Sequence, residues 1–526
     1  MLQGDRLRFR AVPEAPRSFA SGARRGLVLA AAGAAALLGA QLIPADASVS
    51  RQGPDRPVNA GGSDPGDISA HNSPTVARNP RSAGNLVVTS RVDSPDFTCA
   101  VHVSFDGGAA WRPTRVPTPK GEGPKCYAPD ASFGPDGTLH VSWVTLRGRG
   151  NVPNAVWVAS SPDGGKTLGS PRKVAGRLAF QVRITADRTD RRRLYATWVQ
   201  AREVGALKFT GPGNPVLMAR SDDGGTTWER PVQVNAPKRG RVLAPSTVVG
   251  PKGELYVVFL DVGDDRLDYE GGHDARGGPA YPGRFALIVA RSTDRGATWT
   301  ESIVDDAVVP TRRFVAFLPP APSLAVDVRS GRVYVGFEDG RQGDPDAWIW
   351  SLAPGAATWS KARRVNDTPA RDGTAQYLPK LAVAPNGRLD VVYYDRRDDG
   401  RRNVFNAVSL QSSDDGGETF GPRVALSSRS FDSRIGAGSE RDLADLGSRL
   451  GLVSGDESAF AAWSDTRAGT DASNKQDIAG ARILVEASSA AKTLVAALRV
   501  AGIALLLGGL LLAFVALPRG PRRTAA

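Results

Sequence analysis

The sequence predicts an all-β propeller of four-stranded blades, followed by a C-terminal transmembrane helix. Three observations lead there. An eight-residue phrase recurs along the chain, as SFDGGAAW around Asp106, SPDGGKTL around Asp163, SDDGGTTW around Asp223, STDRGATW around Asp294 and SDDGGETF around Asp415. The first four copies are 57, 60 and 71 residues apart, and a worn copy, SLAPGAATW (Ser351 to Trp359), divides the last interval. That period is too long for a solenoid coil and suits a blade. Each interval also repeats one order of strands and turns, and no amphipathic helix of useful length interrupts residues 48–486.

The unit from Leu381 shows the order. LAVA is a short inner strand, PNG (Pro385 to Gly387) supplies a tight turn, and LDVVYY is a second strand rich in β-branched and aromatic residues. The polar loop DRRDDGRR leads to a third strand, the recurrent phrase makes the next turn, and PRVALS closes the unit. Seven such sets begin near Ser73, Pro129, Phe180, Pro245, Pro322, Leu381 and Leu450, so seven blades are expected, with six as the alternative. The seventh set has no phrase and no fourth strand. PDRPVNAGG (Pro54 to Gly62) has the look of one, which predicts that the ring is closed by an N-terminal strand. Closure removes free sheet edges.

The ends read differently. Arg24 and Arg25 precede the apolar run GLVLAAAGAAALLGA, and Ala45–Ala47 form a small-x-small pattern suited to cleavage before Ser48. Residues 1–47 are thus expected to be an export signal, with an uncleaved anchor as the alternative. Residues 48–486 form the propeller and 487–493 a linker. Residues 494–517 are apolar and long enough to span a membrane, and 518–526 form a basic tail. The positive-inside rule puts that tail in the cytoplasm and the propeller outside, tethered to the cell membrane. Of the net charge of +13, residues 1–47 carry +3 and residues 487–526 carry +5, which argues against a nucleic-acid partner. In an exported chain the two cysteines, Cys99 and Cys126, are expected to form a disulfide.

The phrase Ser-x-Asp-x-Gly-x-Thr-Trp resembles the Asp-box, or bacterial neuraminidase repeat, and the body resembles sialidase-like propellers. The resemblance implies that each box is the hairpin turn between third and fourth strands, with Asp106, Asp163, Asp223, Asp294 and Asp415 structural. Second-strand ends then point into a mouth where Asp-x-Arg recurs: Asp339/Arg341, Asp395 with Arg396 and Arg397, and Asp465/Arg467. Two readings stand. The repeats are structural ion pairs, or they form a ring in which Arg341, Arg396 and Arg467 with Asp339 and Asp465 bind an anionic or hydroxylated ligand.

The resemblance also implies a sialidase-like exo-glycoside hydrolase as an alternative function. Glu338, Tyr394 and Asp395 are then the chemically suitable catalytic candidates. Against this, the early Arg-Ile-Pro strand typical of sialidases is replaced by SPTVARNP (Ser73 to Pro80), and the last blade has no Tyr. The first expectation is therefore a surface propeller that binds a glycan or protein ligand, and an envelope assembly factor is a further alternative. An insertion, Asp264 to Phe285, should overhang the mouth. Its Asp264, Asp265, Asp268 and Glu270 could hold calcium but lack the EF-hand order, so a solvated loop and no cofactor are expected.

Overall fold

The computed structural model describes residues 17–39, 47–59, 68–202, 213–265, 281–311, 320–436, 446–487 and 489–515. The chain divides into two compact units, Val49–Val485 and the two terminal segments Met1–Ser48 with Glu486–Ala526.

The larger unit is a seven-bladed propeller of antiparallel sheets. Blade 1 runs through His71–Asn79, Ser82–Val92, Thr98–Ser104 and Arg112–Pro113, from inner to outer strand. The inner strands of the next five blades are Cys126–Phe133, Ala179–Ala186, Val242–Val249, Ser323–Val326 and Gln376–Val383, and that of blade 7 is Gly451–Ser454. Second strands such as Leu389–Asp395 are buried along their whole length, because blades cover both of their faces. Apolar side chains from neighbouring blades therefore share cores: Val258, Phe285 and Leu287 of blade 4 pack with Val335, Phe337 and Trp350 of blade 5.

Blade 7 is closed by the N-terminal segment. Arg56 and Pro57 pair with Gly480 and Ala479, as the PDRPVNAGG reading expects, although residues 60–62 lie outside the described residues. A second N-terminal strand, Ala47–Arg51, also joins that sheet. Asn59 fastens the seam, donating to Asp477 at 2.9 Å and accepting from the Ile478 N–H at 2.7 Å.

The recurrent phrases are the turns between third and fourth strands. In the copy at Asp223, the Ser221 hydroxyl bonds the carboxylate at 2.8 Å and accepts from the Gly225 N–H at 2.9 Å. The Thr227 N–H and hydroxyl donate to the same carboxylate at 2.9 and 2.6 Å. Gly224 and Gly225 adopt φ of 75° and 88°, which other residues resist. Trp228 and Trp299 then pack on the cores between blades. Outer strands vary in length, from two residues in blade 3 (Val232–Gln233) to nine in blade 4 (Thr300–Val308).

The terminal unit holds two helices, α1 (Arg17–Gly39) and α2 (Ser489–Val515). They pack antiparallel, with Gly26 against Gly509 and Ala513 and Gly33 against Gly502 and Leu506. Ala497–Val515 is long and apolar enough to cross a membrane. Helix α2 starts inside the segment expected to be a linker, since SSAAK is rich in good helix formers.

Candidate functional site

The expected mouth residues are brought together in pairs on their own blades. Arg341 reaches Asp339 at 2.8 Å and Asp305 of blade 4 at 2.8 Å, and lies over the rings of Trp348 and Trp350. Arg397 bonds Asp395 at 2.6 Å and Asp367 at 2.7 Å. Arg467 bonds Asp465 at 2.9 Å and also pairs with Asp55 of the closing segment. Arg396 is buried, donating to Asn406 at 2.7 Å and Ser433 at 2.9 Å and covering Tyr377. Each guanidinium is thus occupied by wall groups, the geometry of structural ion pairs.

Glu338, Tyr394 and Asp395 are buried in the same wall. Burial pushes the Glu338 carboxyl up to about 7, against the bonds from the Thr311 hydroxyl (2.7 Å) and Leu378 N–H (2.9 Å). The Tyr394 hydroxyl donates to the Ser464 carbonyl at 3.2 Å and accepts from the Ser464 N–H at 3.1 Å. Asp395 accepts from Ser409 at 2.7 Å. Asp264 is bonded by the Tyr281 hydroxyl and Asp265 is buried, whereas Asp268 and Glu270 lie outside the described residues. Cys99 and Cys126 form a disulfide between blades 1 and 2.

A different site emerges on the inner strands. In five blades the ladder shifts register at one place, and the bulged residue takes a left-handed conformation: Ser73, Ala128, Gln181, Ala244 and Leu378, with φ between 53° and 55°. Such residues cost of order 1–3 kcal/mol each unless the surroundings enforce them. Proline follows in four of the five, at Pro74, Pro129, Pro245 and Pro379, and its missing N–H suits a broken ladder. Blade-to-blade bonds hold the bulges. The Gln181 side chain accepts from the Ala244 N–H at 2.7 Å, and Glu338 accepts from Leu378.

Two residues after each left-handed position stands a polar side chain: Thr75, Asp130, Arg183, Ser246 and Lys380. Together with Arg449 they line a central cavity of about 200 Å³. Asp130 is the one carboxylate among the described lining residues, against three cations. Arg449 is 8% exposed; its Nη2 donates to the Pro129 carbonyl at 3.1 Å, while its buried Nη1 has no hydrogen-bond partner. Desolvation, then repulsion from Arg183, lowers Lys380 to about 8, opposed by Asp130. Burial raises Asp130, against the pull of Arg183, the Ile184 N–H and Lys380. The cavity therefore holds excess positive charge in a desolvated place, with hydroxyls beside it.

Sequence reasoning missed this ring. Its one local signal is the repeated x-Pro-polar step at the start of the inner strands.

No family model matches the chain, and no curated protein matches it. Among solved structures it is similar to a protein of unknown function from Dyadobacter fermentans, at 15% identity over 83% of this chain and 99% of that one, with a TM-score of 0.48. It is also similar to a Hadza microbial sialidase, at 15% identity over 78% of this chain and 75% of that one, TM-score 0.42. An α-L-arabinofuranosidase from Fusarium graminearum matches at 18% identity over 66% of this chain and 92% of that one, TM-score 0.42.

Proposed function

We propose that this chain is a membrane-tethered propeller that binds an acidic, hydroxyl-rich ligand, an acidic glycan, by capturing its anionic group in the central cavity. The observation that carries the reading is the convergence of Arg183, Lys380 and Arg449 on a cavity with one carboxylate, where a buried guanidinium N–H of Arg449 lacks a partner. A carboxylate or sulfate would supply that partner through a charge-assisted bond. Thr75, Thr185 and Ser246 offer hydroxyls for the sugar. Binding is favoured over hydrolysis, because the usual glycosidase scheme needs two carboxyls and the described lining supplies Asp130 alone. The docking alternative has less support: the exposed large apolar residues described on the propeller, Ile68, Phe105, Val232 and Ile303, are scattered singly.

The test is a glycan array probed with the full chain in detergent, beside a panel of fluorogenic aryl glycosides. Acidic glycans should be retained by the wild type and lost by Arg449→Met and Lys380→Met, with no turnover. Retention of neutral glycans that both variants keep would overturn the reading, as would hydrolysis of any substrate.

A further inference from the structure

The buried positions described on α1 are Gly26 and Gly33, seven residues apart, and on α2 they are Gly502 and Gly509, again seven apart. At Gly26, Gly33 and Gly509 the space for a side chain is filled by opposing backbone. A Cβ at Gly26 would lie 2.6 Å from the Gly509 carbonyl and the Ala513 nitrogen, and one at Gly33 would lie 2.6 Å from the Gly502 carbonyl and the Leu506 nitrogen. At Gly509 it would meet the Gly26 carbonyl and Ala30 nitrogen at 2.5 Å. Backbone cannot move aside, so the helices fit only while these positions stay bare. Gly508, one residue away, meets nothing within 4 Å. Small residues at a helix interface let two backbones approach closely, as in paired membrane helices. Outside the seam, Leu27, Val28, Leu507, Leu511 and Phe514 are exposed, apolar surface that hydrocarbon would cover.

Charge supplies a second, independent observation. The antiparallel pairing sets Arg24 and Arg25 at the end of the pair where α2 finishes, and the sequence there continues into PRGPRR. The positive-inside rule thus gives one answer for both helices. In sequence the run from Gly26 to Ile43 is uncharged and near the lower length limit of a span, whereas Ala497–Val515 is the one stretch among the described helices that is long and apolar enough by itself.

We infer that α1 is retained as a second membrane span, paired with α2 along the glycine seam, with both chain termini in the cytoplasm. The propeller is then held by two anchors, and no cleavage occurs before Ser48. This inference is independent of the ligand proposed above.

The test uses the full chain carrying a tag ahead of Met1, expressed in bacterial membranes. The tag should remain on the mature protein, by intact mass, and should be protected when protease is added to spheroplasts. A mature chain beginning at Ser48, or a tag cut from outside, would overturn the inference. Gly509→Leu should at least halve the amount of chain in the membrane while Gly508→Leu leaves it unchanged. An equal effect of the two would overturn the pairing.

Discussion

The propeller carries two rings of charged side chains that differ in how they are paired. At the second-strand ends, Arg341, Arg397 and Arg467 each have an aspartate two residues back on the same strand, and a further aspartate from elsewhere in the chain. Around the central cavity, Arg183, Lys380 and Arg449 stand with one carboxylate, Asp130. A guanidinium closed on two carboxylates holds the wall, whereas one with a spare buried N–H keeps capacity for a ligand. Residue type is therefore a poor guide to a site unless partners are counted.

Substitutions should separate the rings. Arg341→Met leaves Asp339 buried without its cation, which should cost about 3–5 kcal/mol of stability in denaturant melts and leave anion binding unchanged. Arg449→Met should do the reverse: roughly 100-fold weaker binding of an acidic glycan, about 2.7 kcal/mol, by titration calorimetry, with stability unchanged or higher. If the two variants behave alike, the distinction fails.

The third expectation concerns pH. Lys380 titrates at about 8 in the free protein, and a bound anion favours its charged form. The Lys380 contribution should therefore be complete below pH 7, and affinity should fall about tenfold between pH 7 and 9, with proton uptake on binding near pH 8. Lys380→Arg should flatten that dependence. Asp130 works in the same direction in the acid range, since its ionisation adds negative charge to the cavity. The smallest effect is expected at a turn: Ser221→Ala strands the Gly225 N–H and should lower stability by about 1 kcal/mol, seen as a lower Tm with binding intact.

The blades were legible because their signals are local. A turn that needs Asp, two glycines and an aromatic residue writes them at fixed spacing, and a strand buried on both faces writes itself as LDVVYY. The closing segment at Arg56–Pro57 was legible for the same reason. The site was not, because it depends on what lies across the cavity. Arg183, Lys380 and Arg449 are far apart in sequence, and of the three only Lys380 follows the x-Pro step that marks the inner strands. Glu338 illustrates the limit. Its chemistry suited catalysis, yet it accepts the Leu378 N–H and so helps hold the bulge from which Lys380 projects.

The seam of the ring joins residues made at opposite ends of synthesis. Asn59 bonds Asp477 and Ile478, more than 400 positions later. Six blades can pair their strands as they emerge, but blade 7 must wait for the last of the propeller. At ~5–20 residues per second the closing segment stays without its partner strand for roughly 20–80 s. Arg449 stands just ahead of the inner strand of blade 7, and it lines the cavity with Thr75 of blade 1. The cavity is therefore completed last, and a chain that stops before blade 7 leaves it without Arg449.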